Sequence, residues 1–388
     1  MKALRIHKPK DVRIDNVDDP RIEQPRDAII RVTSTAICGS DLHIYNGLAP
    51  QLRPQTLGHE FMGIVEDVGS EVQNLKKGDR VVVPFPIACG RCWFCTHALP
   101  VQCENSNPNY GPEGGLLKEK GAALFGYTDL YGGYEGGQAE AVRVPYADYG
   151  PRKVPSDLTD EQVLFLTDIL STGWAAVDWA QLKGGETVAI FGSGPVGLMA
   201  AKAAWLNGAG RVISLDRQGY RLDMARKAAN AETIDVDDQD PVEKIREMTD
   251  GRGADVCIDA VGMEAEHDTG VLERIVDIAV KHQGGSLEVL NKCISAVRRG
   301  GKVSVVGVYT TTYDNFPWGQ MFDKGVTVTG IGQAPVHNYI DQLLQLIQSG
   351  KVVADDIITH RMPLDEAPHG YDIFNKKEDN CVKIVLKP

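Results

Sequence analysis

The sequence predicts a two-part α/β protein, in which a β-rich first part precedes a doubly wound parallel sheet. Three observations predict this. The first 150 residues are rich in Gly, Pro and β-branched residues, arranged in short runs separated by turn signals. From Thr187 onward, continuous apolar runs alternate with helical stretches, the pattern of a parallel sheet covered on both faces. A glycine-rich motif, finally, opens the first of those helices.

In the first part, residues 28–32 and 80–83 read as strands, and Lys77-Gly78-Asp79 as a turn. The pattern changes near Asp157. Residues 187–191 form a fully apolar strand, 198–206 an Ala-rich helix and 211–215 the next strand. Further strands are expected at 254–258, 302–306 and 326–329. Segment 263–288 is longer than an alternating plan needs. It holds acids, His267, His282 and an amphipathic run at 271–280, and reads as an inserted helical excursion. A helix at 339–348 and an alternating strand at 381–386 follow, and this tail is expected to return to the first part.

A chain of 388 residues predicts about two domains. Hydrophobic residues at 43% and charged residues at 24% are globular values. The net charge of −12 argues against nonspecific nucleic-acid binding and against an anionic membrane surface. The amino-terminal segment is charged and has no apolar stretch of the signal-peptide kind. Residues 163–177, among the most apolar, are interrupted by Asp168 and Gly173 and are too short to span a bilayer. A cytoplasmic, reducing setting is expected, where clustered thiols bind metal more often than they pair.

Two short motifs carry the first chemistry. One is Cys38-Gly39-Ser40-Asp41-Leu42-His43 and the other is Gly58-His59-Glu60-Phe61-Met62-Gly63. A thiolate and a neutral imidazole suit zinc, and a catalytic zinc takes three protein ligands with one position open. Ser40 and His43 lie close enough in sequence to carry a proton away from a metal-bound oxygen. Taken singly, Cys38 reads equally as a small buried hydrophobe, and His59 or His43 as a loop residue.

Gly192-Ser193-Gly194-Pro195-Val196-Gly197 has the context a dinucleotide fingerprint requires: strand before, helix after, then a second strand ending in Asp216. The glycines permit a tight turn and close approach of backbone amides to a pyrophosphate at the helix start. Asp216 would accept hydrogen bonds from ribose hydroxyls and repel a 2′-phosphate, which favours NAD over NADP. Arg217 works against that preference, and Asp216 as a simple helix cap is the plainer reading.

Cys89, Cys92, Cys95 and Cys103 follow the spacing C-x2-C-x2-C-x7-C. Four thiolates so close together can close a tetrahedral zinc site with no open position, which is a structural zinc. Cys257, Cys293 and Cys381 lie in apolar runs and read as core residues.

Together these residues resemble the zinc-dependent medium-chain alcohol dehydrogenases, over essentially the whole chain. Further matching stretches are Gly78-Asp79-Arg80-Val81 and the run from Ile358-Thr359-His360 to Phe374. Within the family the sequence is most similar to the glutathione-independent formaldehyde dehydrogenase and aldehyde dismutase group. That similarity rests on Gly136-Gly137-Gln138-Ala139-Glu140 and Asp168-Ile169-Leu170-Ser171-Thr172-Gly173, and on the insertion before the fifth strand of the parallel sheet.

The resemblance implies a GroES-like catalytic domain at 1–166 and 331–388 carrying the structural zinc lobe, and a Rossmann NAD-binding domain at 167–330. It supplies Asp168 as the third catalytic ligand, where many relatives have Cys; a helix cap for Ile169 onward is the alternative. It makes Glu60 an acid that approaches the metal during water exchange. It places Val196 behind the nicotinamide ring, Thr172 on the other side of that ring and Arg221 at the adenosine end, with Gly39 and Val261 as further cofactor contacts. It also implies a homo-oligomer, dimer or tetramer.

The expected reaction is reversible hydride transfer between an alcohol or aldehyde hydrate, formaldehyde among the candidates, and NAD. Zinc lowers the pKa of the substrate oxygen. The proton leaves through Ser40, the nicotinamide ribose and His43. A polyol or threonine-type dehydrogenase, and an aldehyde dismutase with tightly held NAD, are the alternatives of the same architecture. A non-enzymatic binding protein is disfavoured because no ligand position is lost.

Overall fold

The protein is described by a computed structural model covering residues 1–47, 53–109, 121–262, 286–309, 313 and 315–388. It divides into two compact units, Met1–Ser171 with Pro335–Pro388, and Thr172–Ala334.

The first unit is built around the strand Ala28–Ile37. Eight of its ten residues are buried and only Arg31 is exposed, so the β-branched run packs on both faces. It pairs antiparallel with Glu60–Val68, with register shifts at Ile29/Ile30 and Val32/Ser34. Such bulges bend a strand. Its first half pairs with Ala141–Val144 and its last residues with Ile384–Lys387, so one strand is shared between two partners. The sheet order is Arg152–Lys153, Arg80–Val83, Glu60–Val68, Ala28–Ile37, Ile384–Lys387, His360–Pro363. One core cluster beneath it gathers Ile30, Val32, Phe61, Val81 and Phe125. A second gathers Leu4, Ile37, Ile44, Leu57 and Tyr371.

The strand expected at 381–386 pairs only from Ile384 onward. Ahead of it, Thr359 Oγ1 accepts the amides of Val382 at 3.0 Å and Lys383 at 3.3 Å. The Thr359 amide donates to the Lys383 carbonyl at 3.0 Å. The amides of residues 382 and 383 are thus taken by a side chain, and regular strand pairing starts at Ile384.

The second unit is a six-stranded, all-parallel sheet in the order Glu232–Asp235, Arg211–Asp216, Thr187–Phe191, Ala254–Asp259, Val297–Val305, Thr327–Gly330. Helices Pro195–Leu206, Gly219–Ala229, Pro241–Met248 and Glu288–Ala296 connect its strands. The strand expected at 302–306 begins earlier, at Val297, which pairs with Ala254 before a register shift. Connections from Thr187–Phe191 and Ala254–Asp259 leave in opposite directions, which makes the carboxyl ends of these two strands a switch point. The excursion expected at 263–288 lies outside the described residues except for 286–288. Among the described residues, no helix is long and apolar enough to cross a membrane.

Candidate active site

Cys38 sits where the long strand ends and the helix Gly39–Tyr45 begins. The turn is held by Asp41, whose Oδ2 accepts the Cys38 amide at 3.0 Å. His59 directly precedes the paired strand Glu60–Val68. Gly58 before it has φ +96°, and a Cβ there would press into the Gln138 side chain at 2.4 Å, so no other residue fits. Asp168 lies between the short turn Phe165–Thr167 and the helix Ile169–Asp178.

These three side chains converge. Asp168 Oδ2 is 3.4 Å from Cys38 Sγ and 3.2 Å from His59 Nε2. With Glu60 they form a buried group whose ligand atoms all lie within 4.8 Å of one another. Zinc bound tetrahedrally at ordinary bond lengths sets S···O and N···O donor separations of about 3.4–3.6 Å. The donor set therefore fits zinc in both chemistry and spacing. Ser40 Oγ stands 3.3 Å from Cys38 Sγ and 3.2 Å from His59 Nε2, at the rim of the same cluster. His43 lies one turn further along the same helix face, half-buried.

The electrostatics are those of a site built for a cation. Burial, reinforced by the Asp168 and Glu60 carboxylates, pushes the Cys38 thiol up to about 12. Burial pulls the His59 imidazole down, but Asp41, the Cys38 sulfur and Asp168 outweigh it and hold its proton affinity well above the usual value. Both shifts arise from negative charge packed into a dry space, and a divalent cation placed among those donors would oppose both.

Several contributing residues were not assigned roles from the sequence. Asp41 Oδ1 lies 3.1 Å from His59 Nδ1, opposite the nitrogen that faces the cluster. Lys383, fully buried, donates to Glu60 Oε1 at 2.7 Å and to the Ile37 carbonyl at 3.0 Å. Phe85 and Tyr127 meet the His59 ring edge-on, with centroids 5.9 and 6.5 Å away. Asp41 lies inside the first motif, so its i+3 position was the available signal. Lys383, more than three hundred residues from Cys38, had only strand alternation, which puts it on the same side as buried Val385.

Cys89, Cys92, Cys95 and Cys103 form a second buried cluster. The Cys89–Cys95 and Cys92–Cys103 sulfurs are 4.0 Å apart in each pair, far beyond a disulfide bond and near the about 3.8 Å edge of a zinc–thiolate tetrahedron. The Cys89 amide and Asn105 Nδ2 point at sulfurs from 3.3 Å. A hydrogen bond from Cys95 and neighbouring backbone amides hold the Cys103 thiol low, so thiolate is favoured there. Cys257, Cys293 and Cys381 are wholly buried.

In the second unit, Gly192 ends the first strand with φ +97°, and Gly194 caps the helix Pro195–Leu206 with Pro195 and Val196 in its first turn. A Cβ on Gly197 would strike the Gly192 carbonyl at 1.8 Å, and one on Gly192 would meet Val261 Cγ2 at 2.8 Å. The loop is a bare-backbone cradle at a helix start, the form that receives a diphosphate. Asp216 anchors it: Oδ2 accepts the Ser193 amide at 2.8 Å, and Oδ1 accepts the Arg217 and Gln218 amides at 2.9 Å. Arg221 Nη1 lies 3.8 Å from Asp216 Oδ2, and Arg217 Nε lies 3.7 Å from Asp237. Thr172 is buried in the helix Ile169–Asp178, and Gly39 opens the helix after Cys38 with free space where a Cβ would be.

Comparison with known proteins agrees with this architecture. The alcohol dehydrogenase GroES-like domain matches residues 24–155, and the zinc-binding dehydrogenase domain matches residues 195–272. An uncharacterized zinc-type alcohol dehydrogenase-like protein of Bacillus subtilis is 45% identical, with all of both chains covered. The glutathione-independent formaldehyde dehydrogenase of Pseudomonas aeruginosa is 34% identical over 95% of this chain and 93% of its own. The alcohol dehydrogenase TADH from Thermus sp. ATN1 superimposes with a TM-score of 0.85 at 36% identity, covering 100% of this chain and 99% of that one. A GroES-like part bearing the Cys38–His59–Asp168 cluster, a parallel sheet with a glycine cradle, and full-length likeness to these proteins together show that the chain belongs to the zinc-dependent medium-chain alcohol dehydrogenase family.

Proposed function

We propose that this protein is an NAD-dependent oxidoreductase that transfers a hydride between a small alcohol or aldehyde hydrate and the nicotinamide, with one catalytic and one structural zinc per chain. The observation that carries this reading is the convergence of Cys38 Sγ, His59 Nε2 and Asp168 Oδ2 with the Ser40 hydroxyl beside them. Held by those three side chains, zinc would supply Lewis acidity to a substrate oxygen, and NAD would supply the hydride acceptor.

The chain's own residues do the rest. Ser40 Oγ, 3.3 Å from Cys38 Sγ and 3.2 Å from His59 Nε2, accepts the substrate hydroxyl proton as it gives up its own toward His43, which passes a proton outward. Phe85 and Tyr127, against His59, favour a small substrate. Gly192, Gly194 and Gly197 receive the diphosphate, and Asp216 meets the adenosine ribose with a negative charge that disfavours a 2′-phosphate. The proximity of Arg217 to Asp237 supports the same preference. Likeness to a formaldehyde dehydrogenase makes formaldehyde the first substrate to try.

The test is a panel of alcohols and aldehydes, formaldehyde included, with NAD and NADP in parallel, on wild type and Asp168→Ala. Turnover is expected with NAD, and the variant is expected to lose it together with one of two zinc ions. Near-normal turnover by Asp168→Ala would overturn the ligand assignment, and a clear NADP preference would overturn the cofactor.

A further inference from the structure

We infer that Gln138 and Tyr371 are positioning residues that aim His59 at the metal through Asp41, an inference that rests on His59 being a ligand. Tyr371, wholly buried in the helix Ala367–Lys376, donates its hydroxyl to Gln138 Oε1 at 2.8 Å. Gln138, also wholly buried, donates from Nε2 to the Ala36 carbonyl at 3.1 Å and to Asp41 Oδ2 at 3.2 Å. Asp41 then turns its other oxygen, Oδ1, to His59 Nδ1 at 3.1 Å.

The chemistry fixes the direction of this chain. Only an amide offers an acceptor to a phenol at one end and two donors to a carboxylate and a carbonyl at the other. The reverse orientation would set the amide oxygen against two acceptors. Asp41 Oδ2 is thereby held by two donors, the Cys38 amide and Gln138 Nε2. With that oxygen held, Oδ1 has one direction left. It faces Nδ1 at 3.1 Å as an ionic contact, with Nε2 on the other edge of the ring toward Asp168.

Gln138 also grips His59 from the backbone side. Its amide donates to the Leu57 carbonyl at 3.0 Å, and its side chain fills the space a Cβ at Gly58 would need. The residue therefore limits both the approach of the chain to His59 and the partner of its ring. Nothing in the reaction touches Gln138 or Tyr371 directly, so their effect belongs to metal binding and ring orientation.

The test uses full-length protein carrying zinc, titrated with a chelator, and the cobalt(II)-substituted form observed in the visible region. Gln138→Met keeps the volume and removes both donors. It is expected to weaken metal binding at the Cys38 site by about tenfold, the low end for loss of an outer hydrogen-bond partner, and to shift the cobalt spectrum. The metal at Cys89, Cys92, Cys95 and Cys103 should be retained as in wild type. Tyr371→Phe, which removes one hydroxyl, should move both readouts the same way by less. Unchanged affinity and spectrum in Gln138→Met would overturn the inference, as would equal weakening at both metal sites, which signals general loosening. Retention of both metals by Cys38→Ser would instead overturn the ligand reading on which it rests.

Discussion

Lys383 and Glu60 form an ion pair shut away from water. Both are wholly buried, 2.7 Å apart, with the ammonium also over the Phe165 ring at 5.3 Å. Burial pushes the Glu60 carboxyl up, and the Lys383 ammonium opposes that push. Removing one member of such a pair strands the other charge in a dry interior, at a cost of about 3–5 kcal/mol. Here the stranded charge would be Glu60, next to Cys38 and Asp168. Lys383→Met is therefore expected to lower unfolding free energy by about that amount, while Lys383→Met with Glu60→Gln should recover most of it. Denaturant unfolding of the two variants checks this, and a loss below about 1 kcal/mol in the single variant would show that the pair is not behaving as a buried one. At this scale the sequence was readable where chemistry is local. Cys38, Ser40, Asp41 and His43 lie within six consecutive residues at one helix start, and Glu60 adjoins His59. The roles of Lys383, Gln138 and Tyr371 were not readable, because each acts on residues about a hundred positions away or further, and strand alternation marks Lys383 only as facing inward.

Among the elements, the helix Asp160–Leu164 is fastened at its first residue. Asp160 accepts from Thr33 Oγ1 at 2.5 Å, Ser34 Oγ at 2.9 Å and Arg80 Nε at 2.9 Å, and thereby ties the helix to two strands. Burial raises its carboxyl, but the Thr33, Arg80 and Ser34 hydrogen bonds outweigh it and leave it below the ordinary value. A folded value below the unfolded one of about 3.9 means stabilisation that is complete above that pH and lost as the pH falls through the lower folded value. Asp160→Asn should thus destabilise by about 2 kcal/mol near neutrality, the cost of lost charged hydrogen bonds. Its deficit against wild type should shrink as the pH falls below about 4. A deficit independent of pH would assign the effect to shape rather than charge. Five of the six strands of the parallel sheet were legible from apolar or β-branched runs, whereas the edge strand Glu232–Asp235, with the sequence ETID, carries no such run and was not. The ends of Val297–Val305 and Ile384–Lys387 were not, since a register shift sets one and the Thr359 hydroxyl the other.

For the whole molecule, the alternation of strand and helix announced the fold class, and the family likeness agrees with it. Distance in sequence, however, separates what the site brings together. The second unit is one continuous stretch, whereas the first is assembled from residues on either side of it. The strand Ile384–Lys387 closes against Ala28–Ile37, and Tyr371 and Lys383 arrive with it. Closing so long a loop is slow relative to forming contacts inside a contiguous unit. During refolding the second unit should gain hydrogen-exchange protection first, with Ala28–Ile37 and Ile384–Lys387 following together. Pulse-labelled exchange would read that order, and simultaneous protection of both units would refute it. On the proposed reading, metal binding at Cys38, His59 and Asp168 would wait for that long-range strand pairing. Until it forms, Asp41 lacks the far end of its hydrogen-bond chain and Glu60 lacks its counter-charge. A chain halted at that stage would have a folded sheet unit but a poor grip on metal. A shortage of zinc would then be felt as a fault of maturation before it was felt as a fault of turnover.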